Sequence, residues 1–250
     1  MLPSGPARTF PLDHGAECTR SAGLADNILR SFESGDRHAL AEHLYAAQPA
    51  LASLANWGVR PEIRRTNVVF IHVPRAAGTS IATALYGRPI WHRSVRVHLM
   101  RSRSFFDQAH SFAVLRDPFD RVQSCYAYVM AGGAQNRLNE AQRKRTAHLK
   151  SMDDYLSHVA DYPPLQLDCV MRSQTWFVCD LNSDRPLVKD LFVYGRDDEA
   201  LGGYLAKFGV SKVPRLNASD RTDTPLTVRQ RSRIETLYRS DFELIAAVGS

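Results

Sequence analysis

Between Asn67 and Leu85 the chain reads NVVFIHVPRAAGTSIATAL, and this stretch narrows the possible folds more than any other. The continuous run rich in Val, Ile and Phe from Asn67 to Val73 suits a strand buried on both faces of a parallel sheet. Pro74 cannot donate to a sheet ladder and ends it. Gly78 permits a close backbone approach, and Thr79 or Ser80 is placed to cap a helix carrying Ile81, Leu85 and Tyr86. A helix N-terminus offers unpaired N–H groups and partial positive charge, so the turn reads as a phosphate or sulfate cradle with Arg75 as a fixed cation beside it. The plainer reading is an ordinary strand-to-helix turn with Arg75 solvated. A nucleoside-triphosphate P-loop is not spelled out here. That pattern needs a leading Gly, where Val73 or Pro74 stands, and a Lys directly before the Ser/Thr, where Gly78 stands.

A second junction of the same kind lies in HSFAVLRDPFDRVQSCYAYV, His110 to Val129. Ser111 to Leu115 reads as a strand, Arg116 leaves its end, and Pro118 sits where the first turn of a helix tolerates it. Ser124 follows about two turns into that helix, so Arg116 and Ser124 flank one junction and can grip a second phosphate, the Arg as a bidentate fork. Alternatively, Arg116 pairs with Asp117 or Asp120 and Ser124 is an ordinary helix residue.

Together the two junctions resemble the sulfotransferases that use 3′-phosphoadenosine 5′-phosphosulfate (PAPS), most closely their membrane-associated carbohydrate branch of heparan, chondroitin and dermatan type. The branch's first motif, F-x-H-x-P-K-x-A-G-T-S, is matched by Phe70, His72, Pro74, Ala77, Gly78, Thr79 and Ser80, with Arg75 where the family has lysine. Arginine keeps the charge and adds donors but is bulkier and planar. The second motif, R-[DN]-P-x-x-R-x-x-S, is matched by Arg116, Asp117, Pro118, Arg121 and Ser124. Further on, Gln174, Thr175 and Phe177 look like the branch's Q-T-x-F/Y segment, Leu191 to Gly209 like its strand, helix and turn, and Leu216, Asn217 and Ser219 like its L-N-x-S element.

The resemblance implies an α/β fold, a mainly parallel sheet flanked by helices and P-loop-like in its nucleotide binding. It implies transfer of a sulfuryl group from PAPS to a hydroxyl, most naturally of a saccharide, with adenosine 3′,5′-bisphosphate as product and no metal. Arg75 and the N–H groups of Ala76, Ala77, Gly78, Thr79 and Ser80 would hold the 5′-phosphosulfate, Arg75 also taking a catalytic part at the leaving oxygen. Arg116 and Ser124 would hold the 3′-phosphate. The branch carries a catalytic histidine between its two motifs, and Val97-His98-Leu99 looks most like that element, with His92 as the rival. The alternation from Val95 to Leu99 reads as a short strand or extended segment presenting His98 near the carboxyl edge of the sheet.

The remaining sequence fits around this core. At 250 residues, 44% hydrophobic and 23% charged, the chain has the composition of a globular protein. We expect loose order over residues 1–20 and one sulfotransferase domain over 21–250, with a helical layer at 21–60 and the donor-binding core at 67–130. Leu40, Leu44, Ala47, Leu51 and Leu54 recur at helical spacing, interrupted at Pro49. A formal charge of +6 favours an anionic ligand without naming it. Cys18, Cys125, Cys169 and Cys179 lack the spacing of a metal site or a disulfide framework and are expected as free thiols. No apolar run is long enough to cross a membrane, so an anchor-less cytoplasmic form is expected. The basic stretch from Gly132 to Lys150 reads as a solvated helix or, functionally, as a rim attracting an acidic glycan. Ser151 with Asp154 and Thr227 with Gln230 are possible capping boxes, the second opening a long final helix. Two rivals stand beside the transferase: a nucleotide-dependent kinase of similar fold, and a non-catalytic basic scaffold that binds nucleic acid, a partner the resemblance does not call for.

Overall fold

The structure, a computed structural model, describes residues 42, 45, 58–133, 140–181, 185–214 and 225–248. Its centre is a three-stranded parallel sheet in the order β1 (Val68–Ile71), β2 (His110–Leu115), β3 (Asp190–Val193). The register pairs Val69 with Ser111 and Ala113 with Leu191. Every residue of β1 and all but the first of β2 are buried, as their continuous apolar runs require. The sheet is flanked by helices, and the architecture is α/β.

Helix α1 (Pro61–Thr66) begins on proline and ends at Asn67, whose left-handed conformation (φ 53) closes it. The first strand is shorter than the run from Asn67 to Val73, since Asn67 is spent on the cap and Val73 N turns back to Ile71 O at 3.0 Å. Between β1 and β2 lie α2 (Gly78–Tyr86), α3 (Val95–Arg101) and α4 (Arg103–Gln108). After β2 come α5 (Pro118–Met130), α6 (Glu140–Thr146), α7 (Met152–Asp161) and α8 (Gln174–Val178). β3 leads into α9 (Asp198–Ala206), and α10 (Val228–Leu237) and α11 (Arg239–Ala247) close the described chain.

Two apolar clusters hold these layers. One packs Phe70, Ile71, Ile81, Leu85, Phe112, Val114, Phe177 and Leu205 around the sheet. The other joins α5, α7 and α10 through Val122, Tyr155, Leu156, Ile234 and Tyr238. Tyr86, at the end of α2, reaches back to β1: its hydroxyl accepts from Phe70 N at 3.0 Å and donates to Val68 O at 3.0 Å.

Both expected capping boxes form, at Ser151/Asp154 and Thr227/Gln230. In α6 the side chains of Arg143, Lys144 and Arg145 are exposed, as a solvated helix requires. Two expectations are corrected. The long final helix is two, because Tyr238 leaves helical geometry (φ −117, ψ 27) to place its hydroxyl on Met171 O at 2.8 Å. The segment Val95–Leu99 is helical and not extended, because Ser94 caps it by accepting from Val97 N. Cys125, Cys169 and Cys179 are free thiols. Among the described residues no helix is long and apolar enough to cross a membrane. Leu40, Leu44, Ala47, Pro49, Leu51 and Leu54 of the helical layer, together with Leu216, Asn217, Ser219 and Cys18, lie outside the described residues.

Candidate functional site

The first junction begins where β1 ends. Residues 74–77 form the turn, and both Arg75 (φ 64) and Ala77 (φ 58) adopt left-handed backbone. For side chains with a Cβ this costs on the order of 1–3 kcal/mol each and is kept where the surroundings enforce it. Gly78 then starts α2 against the ring of His72. A Cβ there would come within 1.8 Å of His72 Cδ2, so glycine alone lets the strand end and the helix start meet.

The expected cap at Thr79 or Ser80 is not what forms. The N-cap is Ala77, which supplies no side-chain hydrogen bond, and Thr79 and Ser80 fall inside the first turn. The positive φ values of the turn bring the chain into the helix earlier than a hydroxyl cap would. By contrast α3, α5, α7 and α10 are capped by Ser94, Asp117, Ser151 and Thr227. The N-cap of α2 thus adds no side-chain hydrogen bond at the helix start, a geometry that suits an anion, and Ser80 N already donates to Ala77 O at 3.1 Å.

At the second junction Asp117 caps α5 by accepting from Asp120 N at 3.0 Å, and Pro118 takes the first helical position. Gln174 clamps the backbone of Arg116 on both sides: its Oε1 accepts from Arg116 N at 2.8 Å and its Nε2 donates to Arg116 O at 2.8 Å. Buried Asp241 on α11 holds this clamp, accepting from Gln174 N at 2.9 Å and Thr175 N at 3.0 Å.

The two junctions meet through their arginines. Arg75 Nε donates to Ser124 Oγ at 3.0 Å, and Arg116 Nη1 donates to Arg75 O at 3.3 Å. Arg75 lies over the ring of Tyr128 (5.1 Å), and Arg116 lies toward Tyr194 (6.0 Å). The Asp120 carboxylate is 3.9 Å from Arg116, so the pairing expected as the plainer alternative is present but long. Arg116 Nε is buried and has no hydrogen-bond partner, an unusual expense for a guanidinium.

Beneath them runs Arg121, fully buried. Its Nε donates to Pro74 O at 3.1 Å and its Nη2 to Arg172 O at 2.8 Å, with Asp241 at 4.0 Å. This residue fastens the first turn to α5 and to the segment before α8. The Arg at the sixth position of the second motif was its sequence signal, as Gln174 of the Q-T pair was for the clamp. Neither motif position discloses the role.

The histidines divide sharply. His72 Nδ1 donates to Ile90 O at 2.9 Å, and His92 Nδ1 donates to His72 O at 3.1 Å, with the two rings 4.0 Å apart. Carbonyls only accept, so the proton of each neutral ring sits on Nδ1 and the Nε2 lone pair remains. Burial pushes the His92 pKa down to about 4, with Asp168 acting to raise it and Arg121 and Arg75 to lower it. His98 instead lies buried in α3, its pKa pushed down to about 3 by burial and by Arg101, Arg93 and Arg60, which belong to neither junction. The helix capped by Ser94 is what carries His98 away from its expected extended setting.

Chemically the site is a cationic turn at a helix start without a side-chain cap, two further guanidiniums and two neutral imidazoles, His72 and His92. No protein-family model, no curated protein and no solved structure matches this chain. Its chemistry is therefore argued from these residues. Among the described residues no group of three or more His, Cys, Asp or Glu side chains is placed to hold a metal ion. Of the sequence-derived site residues, Arg75, Ala76, Ala77, Gly78, Thr79, Ser80, Arg116 and Ser124 are brought together, and among the described residues the His98 ring makes no hydrogen bond to any of them.

Proposed function

We propose that the chain is a sulfotransferase that takes PAPS as donor through a P-loop-like turn, moves its sulfuryl group to a saccharide hydroxyl and releases adenosine 3′,5′-bisphosphate. The observation that carries the reading is the meeting of Arg75, Ser124 and Arg116, with the buried Arg116 Nε unpartnered beside an uncapped helix start. Two anionic groups on one ligand fit this arrangement better than one. The motif resemblance supplies the donor's name, and the free thiols suit a reducing, cytoplasmic setting.

In this reading the N–H groups at the start of α2 and the Arg75 guanidinium hold the phosphosulfate. The acceptor oxygen attacks sulfur while the bond from sulfur to the phosphate oxygen breaks. Negative charge gathers on the departing phosphate, where Arg75 stabilises it. The acceptor's proton goes to Nε2 of a histidine. We assign that role to His92 in place of His98, because His92 packs on His72, two residues before the first turn, and its tautomer leaves Nε2 as the acceptor. Its low pKa keeps it neutral at pH 7, and a bound anionic donor favours the imidazolium that forms. Arg116 and Ser124 hold the 3′-phosphate, which separates this donor from ATP.

Calorimetry tests the assignment directly. Adenosine 3′,5′-bisphosphate binds much more tightly than AMP, and Arg116→Ala removes about 1.5–3 kcal/mol of that preference, the worth of a charged hydrogen bond. Equal affinity for the bisphosphate and AMP would sink the donor reading.

A further inference from the structure

Trp91 is 70% exposed, whereas Trp176 is 9% exposed in the main core. A single apolar side chain in water is ordinary. The setting of this one is not. Its preceding neighbour Ile90 is buried in the core cluster, and the Ile90 carbonyl is held by His72 Nδ1 at 2.9 Å. Its following neighbour His92 is held by the His72 carbonyl at 3.1 Å. Arg93 and Ser94, next in line, are buried at the start of α3. The chain is thus fastened on both sides of Trp91, by the Ile90 carbonyl and by the His92 ring, and the exposed indole lies one residue from the imidazole assigned as base.

We infer that Trp91 is the acceptor platform: its indole face stacks against a pyranose ring and so positions one hydroxyl at His92. The inference rests on the sulfotransferase reading and adds to it the residue that selects the acceptor. An aromatic face carries the negative part of a quadrupole, and the C–H groups on one side of a pyranose present a weakly positive, apolar surface of matching size. A ring held this way is oriented without being charged, which suits an acceptor whose reacting group is a neutral alcohol. Rigid flanks matter because a platform that moved would lose the alignment on which displacement at sulfur depends.

The experiment uses the full chain saturated with adenosine 3′,5′-bisphosphate, presented to an array of neutral and uronic-acid-containing oligosaccharides. The parent captures at least one of these saccharides. Trp91→Ala weakens that capture about tenfold, while Trp91→Tyr, which keeps an aromatic face, stays close to the parent. Calorimetric affinity for the bisphosphate is the same in all three proteins, which shows that the variants are folded and separates loss of the platform from failure of the donor site. Undiminished saccharide capture by Trp91→Ala overturns the inference. So does an array on which the parent binds no saccharide.

Discussion

The two strand-to-helix junctions solve the same local problem in opposite ways. After β2 the chain uses conventional means: Asp117 caps α5, Pro118 fixes the first turn and Gln174 clamps the Arg116 backbone. Its helix start is capped from within, and its Ser124 hydroxyl, itself buried, accepts from Arg75 of the other junction. After β1 the chain accepts two left-handed residues, Arg75 and Ala77, and leaves α2 without a side-chain cap. Local stability has been given up at one junction and kept at the other. A binding surface needs both, because an open helix end is useful only when something rigid holds it, and here Arg121 ties the open turn to the α5 helix of the closed junction.

Substitutions can separate the two roles. The largest effect is expected at the open junction: Arg75→Ala leaves the fold intact and reduces sulfuryl transfer from PAPS below detection in a labelled-donor assay, whereas Arg75→Lys retains turnover, since in the proposed reaction it is the charge that stabilises the departing phosphate. A fast Arg75→Ala enzyme would break the comparison.

The histidines come next. His92→Ala lowers the single-turnover rate by roughly 10²–10⁴ with donor affinity nearly unchanged. His98→Gln keeps the rate and changes acid stability instead. Because burial depresses the His98 pKa to about 3, the unfolded chain binds a proton between that value and about 6.5 while the folded chain does not. Its contribution to stability is complete above about pH 6.5 and is lost as the pH falls toward 3, so His98→Gln flattens that decline in urea-unfolding curves. A His98 variant that stops turnover while His92→Ala keeps it would return the base to α3.

The smallest effect belongs to the closed junction. Asp117→Ala removes the cap of α5 and costs about 0.5–2 kcal/mol in denaturant unfolding, with bisphosphate affinity within a factor of two or three. A loss of affinity as large as that of Arg116→Ala would mean that the cap itself is part of the binding surface.

Much of this architecture is legible from the residues because it depends on short-range rules. The strands at Val68 and His110 follow from continuous apolar runs, and the caps at Ser151 and Thr227 follow from spacing alone. The pattern V-R-V-H-L was ambiguous because Val95 and Leu99 satisfy both an alternating and a four-residue spacing, and the deciding atom, the Ser94 hydroxyl, lies outside the pattern. The break at Tyr238 depends on a carbonyl 67 residues away, Met171 O, which no local rule contains. For the same reason Arg75, Arg116 and Ser124 can each be placed at a strand-to-helix junction from sequence, while their meeting cannot. That contact is made by the packing of two helices on one sheet, and Arg121, which ties the first turn to α5, is marked in sequence only as a motif position, because its partners are carbonyls 47 and 51 residues away.

The hydroxyl of Tyr86 has a consequence beyond the fold. β1 is an edge of the sheet as described, and an edge is a template on which another copy's strand can grow. Phe70 N and Val68 O are the groups such a strand would use, and a phenol occupies both. Self-association by strand addition is closed off there without charge or proline. The helix that provides this stop is nine residues long and runs from Gly78 to Tyr86. One end of it starts without a side-chain cap, and the other covers the edge on which a neighbouring strand could grow.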